Sequence, residues 1–445
     1  MESLREREFR MRLRIGSILC GLLLLVCMAG QAGADDKGEY LHWDYKIGGE
    51  ERLRYEFRDN FDFNKSKKDN GSQILNRFKL NFTDDLVDEY LNKKATVFLE
   101  GLDARDYGYQ MKATAGQTDR FDLHQAYVSL YNVLGSDFDV KLGRQELNYG
   151  EKRLIASPTW LNAVRSWDGA VIHYHNGGLY SDLIYGQNVQ YQDEQFNTSD
   201  GNEILAGIYS GYQATPVSPL VEWYYLHQND SRAISVISRE TAGLRVKIKP
   251  TPDSKFDVEI PYQWGRSGTT ASAKTIKAYA FHANFSQNFN KLLWTPQMNI
   301  SYDEASGTKN PNSKYSNTFV PLYQTVHEPY GELDFFRWEN MRNPEFNIIF
   351  SPTEKFRFTP QIDFFWLQSK NDSWYNSSGT ALRTKTSGHR DYYVGSETSL
   401  RFYYDFTKNI TFETGYAHFF SGAFVQDTGA NDDADWIYSQ ITMKF

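Results

Sequence analysis

The sequence predicts an all-β fold, a transmembrane antiparallel up-and-down β-barrel of about 18 strands. The prediction rests on a secretory N-terminus, on a composition rich in aromatic residues but low in hydropathy, and on a regular succession of strands and loops. Each of these features is taken in turn below.

The N-terminus has the features of a secretory signal peptide. Residues 2–14 contain five arginines, an apolar run from Ile15 to Gly30 follows, and Ala32-Gly33-Ala34 offers a small-x-small cleavage site. We expect cleavage after Ala34, which leaves residues 35–445 as one barrel domain. Cys20 and Cys27 both lie in the removed segment. The mature chain would therefore have no disulfide, thiol nucleophile or cysteine metal site.

The composition is typical of a membrane barrel rather than of a helical membrane protein. Hydrophobic residues make up only 40% of the 445 residues, and the mean hydropathy is −0.60. Aromatic residues nevertheless reach 16%, as expected where only alternate residues face lipid and aromatic side chains collect at both membrane interfaces. Removal of five Arg and three Glu with the signal peptide changes the net charge from −8 to −8 − 2 = −10. This acidic balance gives no support to nucleic-acid binding.

Beyond residue 34, segments of alternating apolar and polar residues recur along the whole chain, without a long apolar stretch. We expect the strands to begin near Gly49, Ile74, Lys94, Asp122, Phe138, Trp167, Leu179, Glu203, Pro219, Glu240, Phe256, Thr275, Pro296, Met341, Phe356, Arg390, Ile410 and Asp435. Short turns such as 176–178, 250–253, 351–354 and 405–408 alternate with long loops such as 190–202, 304–340, 368–389 and 421–433. Outer-membrane barrels alternate short periplasmic turns with longer extracellular loops in this way.

Strand periodicity assigns side chains to the two faces of the barrel. In the first strand, Leu53, Tyr55 and Phe57 would face lipid. The cations predicted to face inward from the first, second and tenth strands are Arg52, Arg54, Arg58, Arg77, Lys79, Arg245, Lys247 and Lys249. A lipid-facing Arg or Lys at the midplane would cost roughly 2–4 kcal/mol, which favours the inward orientation. Such cations could pair with lumenal carboxylates such as Glu56 or form a path for an anionic solute.

The last strand ends in an amphipathic segment with Ile441, Met443 and a terminal Phe445 on one face. A terminal aromatic residue on such a strand is similar to the signal that the outer-membrane assembly machinery recognises. We therefore expect this machinery, outer-membrane lipid and lipopolysaccharide as partners.

Residues 122–174 are the most distinctive part of the chain. The segments Gln125-Ala126-Tyr127-Val128, Leu142-Gly143-Arg144-Gln145 and Arg165-Ser166-Trp167-Asp168-Gly169 resemble the bacterial alginate export family of outer-membrane proteins. The resemblance implies an 18-stranded monomeric barrel that passes alginate, a polyuronate, through a constriction lined by arginine. It implies Arg144, Arg153 and Arg165 as binding residues, with Asp168 fixing their geometry. Strand periodicity, however, places Arg144 on the lipid face, so an inward side chain would require a bulge.

We therefore expect an outer-membrane porin or export channel for an anionic polysaccharide. A porin for small organic anions or oligosaccharides is the alternative, and an adhesin, receptor or enzyme would be a different class. His124 with Ser129, or His418 with Ser421, could serve an enzyme, but no motif surrounds them, so we predict no catalytic residue. His173 and His175 share a strand face without a further visible ligand, so we predict no metal site and no cofactor.

Overall fold

A computed structural model describes residues 41–108, 116–232, 236–269, 272–325, 327, 329–384 and 391–445. Within these ranges, 18 long antiparallel strands form a closed barrel, which confirms the predicted fold. The predicted signal peptide lies outside the described residues. No helix of the described part is long and apolar enough to cross a membrane.

The strands follow one another around the barrel in chain order. They are β1 His42–Asp59, β2 Gly71–Val87, β3 Lys93–Asp106, β4 Asp119–Leu130, β5 Phe138–Gln145, β6 Trp167–Asn176, β7 Leu179–Gln190, β8 Thr198–Tyr212, β9 Leu220–Asp230, β10 Val236–Thr251, β11 Ser254–Gly268, β12 Lys274–Asn288, β13 Gln297–Ala305, β14 Met341–Ile349, β15 Phe356–Leu367, β16 Tyr393–Thr407, β17 Ile410–Ser421 and β18 Ala434–Lys444. Short β segments at Tyr315–Ser316, Trp374–Tyr375 and Ala381–Arg383 and the helix α1 (Ala423–Thr428) lie in the loops.

The barrel closes where β1 meets β18. The two strands pair in an unbroken register from Glu50 with Lys444 to Asp59 with Asp435. Beyond it, Gly49 and Phe445 exchange backbone hydrogen bonds of 2.9 and 3.1 Å. Closure satisfies the backbone N–H and C=O groups that an open sheet edge would leave unpaired in hydrocarbon.

Alternation of exposure along β1 matches the predicted faces. Leu53 and Tyr55 are 46% and 44% exposed on the outside, whereas Arg52 and Arg54 are each 2% exposed. The strand begins at His42, earlier than the predicted Gly49, because residues 42–48 continue the pairing with β2 beyond the end of β18.

The connections largely follow the predicted rhythm. Gly177 and Gly178 make the tight turn between β6 and β7 with φ of 54° and 88°, and a Cβ on Gly178 would lie 2.3 Å from the carbonyl oxygen of Gln213. At the other end of the barrel, only five residues separate the end of β9 from the start of β10, and five separate β11 from β12. The alternation of turn length is therefore less strict than the sequence suggests.

Two of the long connections fold into the barrel instead of outward. We call residues 146–166, between β5 and β6, the first inner loop, and residues 306–340, between β13 and β14, the second inner loop. The first reaches β1 and β2 through the carbonyl of Thr159 and reaches β10 through Glu151. It therefore crosses the lumen from one wall to another.

Candidate functional site

The two inner loops are joined to each other inside the barrel. The backbone N–H of Ala156 donates to the carbonyl of Tyr323 at 2.7 Å, and the N–H of Tyr323 donates to the carbonyl of Leu154 at 2.7 Å. Thr325 and Lys152 extend the contact with a bond of 3.0 Å. This short ladder gives the two loops a fixed relative position, so that they narrow the lumen as one body.

A cavity of about 600 Å³ lies between these loops and the inner face of β1. The arginines that line it are Arg54, Arg58, Arg165, Arg232 and Arg337. The lining carboxylates within the described residues are Glu203 and Asp334. The lining side chains therefore carry five positive charges against two negative ones, a net charge of +3.

Three partner carboxylates behind the lining, Glu56, Asp230 and Glu339, together offset this charge. Arg232 lies 2.7 Å from Asp230 and 2.5 Å from the lining Glu203. Glu56 contacts both Arg54 and Arg58, at 2.7 and 2.8 Å. Glu339 lies 3.1 Å from Arg337. These pairs hold the guanidinium groups in position but weaken their attraction for a passing anion.

Arg165 differs from its neighbours because neutral groups hold it. Its Nη1 donates to the carbonyl oxygens of Ala156 at 2.8 Å and Tyr323 at 3.1 Å. Its guanidinium carbon also lies 5.4 Å from the centre of the Tyr323 ring. Among the described residues, no carboxylate lies within ion-pair distance of it. No neighbouring carboxylate among the described residues therefore offsets the guanidinium of Arg165 at the junction of the two loops.

Trp160 contacts cations from two elements. The guanidinium carbon of Arg54 lies 3.8 Å from the centre of its ring, and the His327 ring stacks on it at 3.8 Å with an angle of 10°. His327 also contacts Asp334 and Glu332, each at 3.0 Å. Burial lowers the pKa of His327, but the charges of Asp334 and Glu332 outweigh it and raise this pKa to about 10. The stack therefore joins β1 and the two inner loops through a charged imidazolium.

Arg52 and Arg77 anchor the first inner loop rather than line the cavity. Both donate to the carbonyl oxygen of Thr159, at 2.8 and 2.7 Å, and both reach that of Leu161. Arg77 also pairs with Glu50 at 2.5 Å. The backbone of the loop thus takes up most of the donor capacity of these side chains.

Arg245 and Lys247 belong to an ion-pair network on the opposite wall. The Arg245 guanidinium makes two bonds to Asp257, at 2.9 and 2.5 Å, and further bonds to Glu222 and Glu151. Lys247 binds Glu151 at 2.6 Å. Burial raises the pKa of Glu151, but Lys247 and Arg245 lower it to about 2 overall. The two cations of this group face three carboxylates, so their charge is fully offset.

Arg153 and Lys79 are also paired inside the barrel. Arg153 lies 2.7 Å from the imidazole of His282 and within 4 Å of Glu259 and Asp303. Lys79 lies 3.4 Å from both Glu100 and Glu146. Neither residue lines the cavity described above.

Arg144 and Asp168 pair with each other outside the cavity. Strand register sets them side by side, and Arg144 donates two hydrogen bonds to Asp168, of 2.8 and 3.0 Å. Arg144 also lies opposite Ala126 of β4, on the face of Leu142 and Val140. The face assigned by strand periodicity is therefore the observed one, and the bulge that an inward Arg144 would need is not found in β5 as described.

The alginate export family matches the sequence from residue 44 to residue 438. The chain belongs to this family. Among curated proteins, none matches the sequence.

Solved structures similar to this family member are outer-membrane barrels. OccK2 (OpdF) of Pseudomonas aeruginosa aligns with a TM-score of 0.61 at 11% identity, over 90% of this chain and 98% of that one. Acinetobacter baumannii OccAB4 aligns with a TM-score of 0.58 at 12% identity, over 92% and 100%. The outer membrane protein opdK of P. aeruginosa gives 0.58 at 11% identity, over 90% and 98%. At these identities the likeness establishes the shared fold.

Family and fold together identify an outer-membrane channel of the porin or export type in the bacterial outer membrane. Two cavity arginines of this alginate export family member, Arg232 and Arg337, were not predicted from its sequence. Both lie in connections between strands, where periodicity assigns no direction. The Arg337-Trp338-Glu339 segment within a long polar loop carries no signal that would separate it from solvated loop.

Proposed function

We propose that the protein passes an anionic saccharide of the polyuronate type through the cavity between its inner loops. The observation that carries the proposal is Arg165, a cavity guanidinium with no carboxylate within ion-pair distance among the described residues. An arginine fork matches the geometry of a carboxylate, and rings of basic side chains select anions. The family is named for alginate export, which is consistent with this solute class.

Arg165 is the central binding residue of the proposal. Because carbonyl oxygens hold it, a uronate carboxylate that approaches it need not displace an existing carboxylate partner. Tyr191, which is only partly buried, supplies aromatic surface in the same cavity, on which a sugar ring can lie beside the charge contact.

The remaining predicted cations support the path indirectly in this proposal. Arg52 and Arg77 fix the loop that carries Trp160, while Arg153, Arg245 and Lys247 fix its other end. Three predicted residues contribute at most to the electrostatic field outside the cavity. Lys79 is paired with Glu100, and Arg144 and Asp168 are paired with each other.

Current block in planar bilayers tests the proposal. Oligouronates should reduce the single-channel current in a concentration-dependent manner, whereas neutral oligosaccharides of the same length should not. Equal block by both would favour a pore that selects by size alone. Block by small organic anions but not by oligouronates would support the alternative of an organic-anion porin.

A further inference from the structure

A second group of polar side chains converges at the base of the first inner loop, outside the cavity. The imidazole Nε2 of His124 lies 3.0 Å from Oε1 of Glu146 and 3.9 Å from Oε1 of Glu100. These three atoms all lie within 4.8 Å of one another. A tetrahedral zinc ion with bonds of about 2.0–2.2 Å holds its ligand atoms roughly 3.3–3.6 Å apart. The distances of 3.0 and 3.9 Å from the His124 nitrogen to the two carboxylate oxygens lie just below and just above this range.

A β-bulge brings His124 to this position. Glu100 of β3 pairs with Gln125 and the next residue, Gly101, pairs with Leu123, so His124 is the additional residue of β4. In an unbroken strand, His124 and its neighbour Gln125 would point to opposite faces. With the bulge, His124 is 2% exposed and shares a hydrogen-bonded group with Gln125 and Glu100. Bulges are frequent next to functional sites because they redirect a side chain in this way.

The two carboxylates are held in place from behind. The Gln125 amide donates to Oε1 of Glu100 at 3.1 Å and accepts from the backbone N–H of Glu146 at 3.2 Å. Such supporting hydrogen bonds orient the ligands of metal sites and are costly to remove.

The Lys79 ammonium lies 3.4 Å from the same Oε1 atoms of Glu100 and Glu146. The two carboxylates thus already attract a cation, and the Lys79 ammonium would compete with a metal ion for them. Pairing with Lys79 would by itself account for the positions of the two carboxylates. It would not account for the bulge that brings the His124 imidazole next to them.

We propose that Glu100, His124 and Glu146 form a binding site for a first-row divalent cation, with Zn²⁺ as the preferred ion. A mixed set of one imidazole and two carboxylates is suited to this class of ion. Because Glu146 begins the first inner loop and the other two ligands lie on β3 and β4, the ion fastens that loop to the barrel wall.

Titration calorimetry with ZnCl₂ on the full-length protein in detergent at pH 7 tests the site. The wild-type protein should bind one ion, and His124→Gln and Glu146→Gln should each weaken binding by about 100-fold, since each removes a direct ligand. Lys79→Met should bind more tightly, because it removes the competing ammonium. Co²⁺ should give visible d–d absorption in the wild-type protein and not in His124→Gln.

His173→Gln is the matched control, because His173 is also a strand histidine in contact with a carboxylate, that of Asp182, and lies outside the proposed site. This variant should bind Zn²⁺ like the wild type. Heat-modifiable gel mobility establishes that each variant is a folded barrel. Absence of binding to the wild type, or loss in His173→Gln but not in His124→Gln, would overturn the proposal. Equal or weaker binding by folded Lys79→Met would contradict it independently of any ligand substitution.

Discussion

Replacement of Arg165 tests whether its charge binds the solute. A uronate carboxylate about 5 Å from a unit charge in water gains roughly 0.8 kcal/mol. The aqueous value is used because the cavity is open to solvent. Loss of that gain corresponds to about fourfold weaker binding, since about 1.4 kcal/mol is a factor of ten. Arg165→Gln should therefore weaken oligouronate block about fourfold, and Arg165→Glu, which reverses the charge, roughly 15-fold.

The assay is the dissociation constant for current block in planar bilayers, measured at one fixed salt concentration. Arg165→Lys keeps the charge but loses the guanidinium Nη1 that donates to the carbonyl oxygens of both Ala156 and Tyr323. It should retain most of the block, with more frequent gating because the loops are less firmly joined. Lys291→Gln removes a charge from the exposed turn between β12 and β13 and serves as the control. Unchanged block in folded Arg165→Gln, or an equal loss in Lys291→Gln, would refute the reasoning.

Other parts of the structure give further predictions. Trp160→Ala should raise single-channel conductance and lower the free energy of unfolding by about 1–2 kcal/mol, because it removes two cation stacks. Unchanged conductance would show that the stack does not narrow the pore. Arg144→Gln should lower the unfolding temperature without altering ion selectivity, and a change in selectivity would restore Arg144 to the path. His327 has a pKa raised to about 10, so its contribution to the contact between the two inner loops should be complete below pH 6.5 and fall as pH rises towards 10; current noise should increase over that range in the wild type but not in His327→Gln. Deletion of Phe445 should reduce the assembled fraction, because it removes two hydrogen bonds at the seam, and undiminished assembly would contradict this.

The face of the barrel that each strand side chain occupies could be predicted from the sequence, because lipid disfavours charged groups on the outer face. A charged side chain on the outer face is costly, so Arg52 and Arg54 had to point inward once Leu53 and Tyr55 were assigned to lipid. Strand periodicity placed Arg144 on the outer face despite this rule, and the structure has it there. A residue near the end of a strand can keep its charge there because a neighbouring carboxylate, Asp168, pairs with it.

The partners of inward residues were harder to predict. Arg245 lies directly opposite Glu222 in the register between β10 and β9, but register depends on where each turn begins. The extent to which lumenal cations would be neutralised therefore remained open. Side chains can be assigned to the two faces from the alternation along a single strand. Predicting which residues pair across two strands also requires the register between those strands.

The positions of the inner loops were beyond local sequence reasoning. Arg165 is fixed by the carbonyl of Tyr323, 158 residues away along the chain. Neither loop has a periodicity that indicates a direction, and their contacts join residues far apart in the sequence. His124 was missed as a ligand for a similar reason, because its position depends on a bulge that strand parity does not reveal.

The zero-current potential of the wild-type channel in a KCl gradient tests the central claim most directly. An arginine-lined path should shift this potential towards the chloride equilibrium value, and oligouronate added to one side should reduce the current through the same channels. A potential on the potassium side, with no effect of oligouronate, would contradict an anion path between the inner loops.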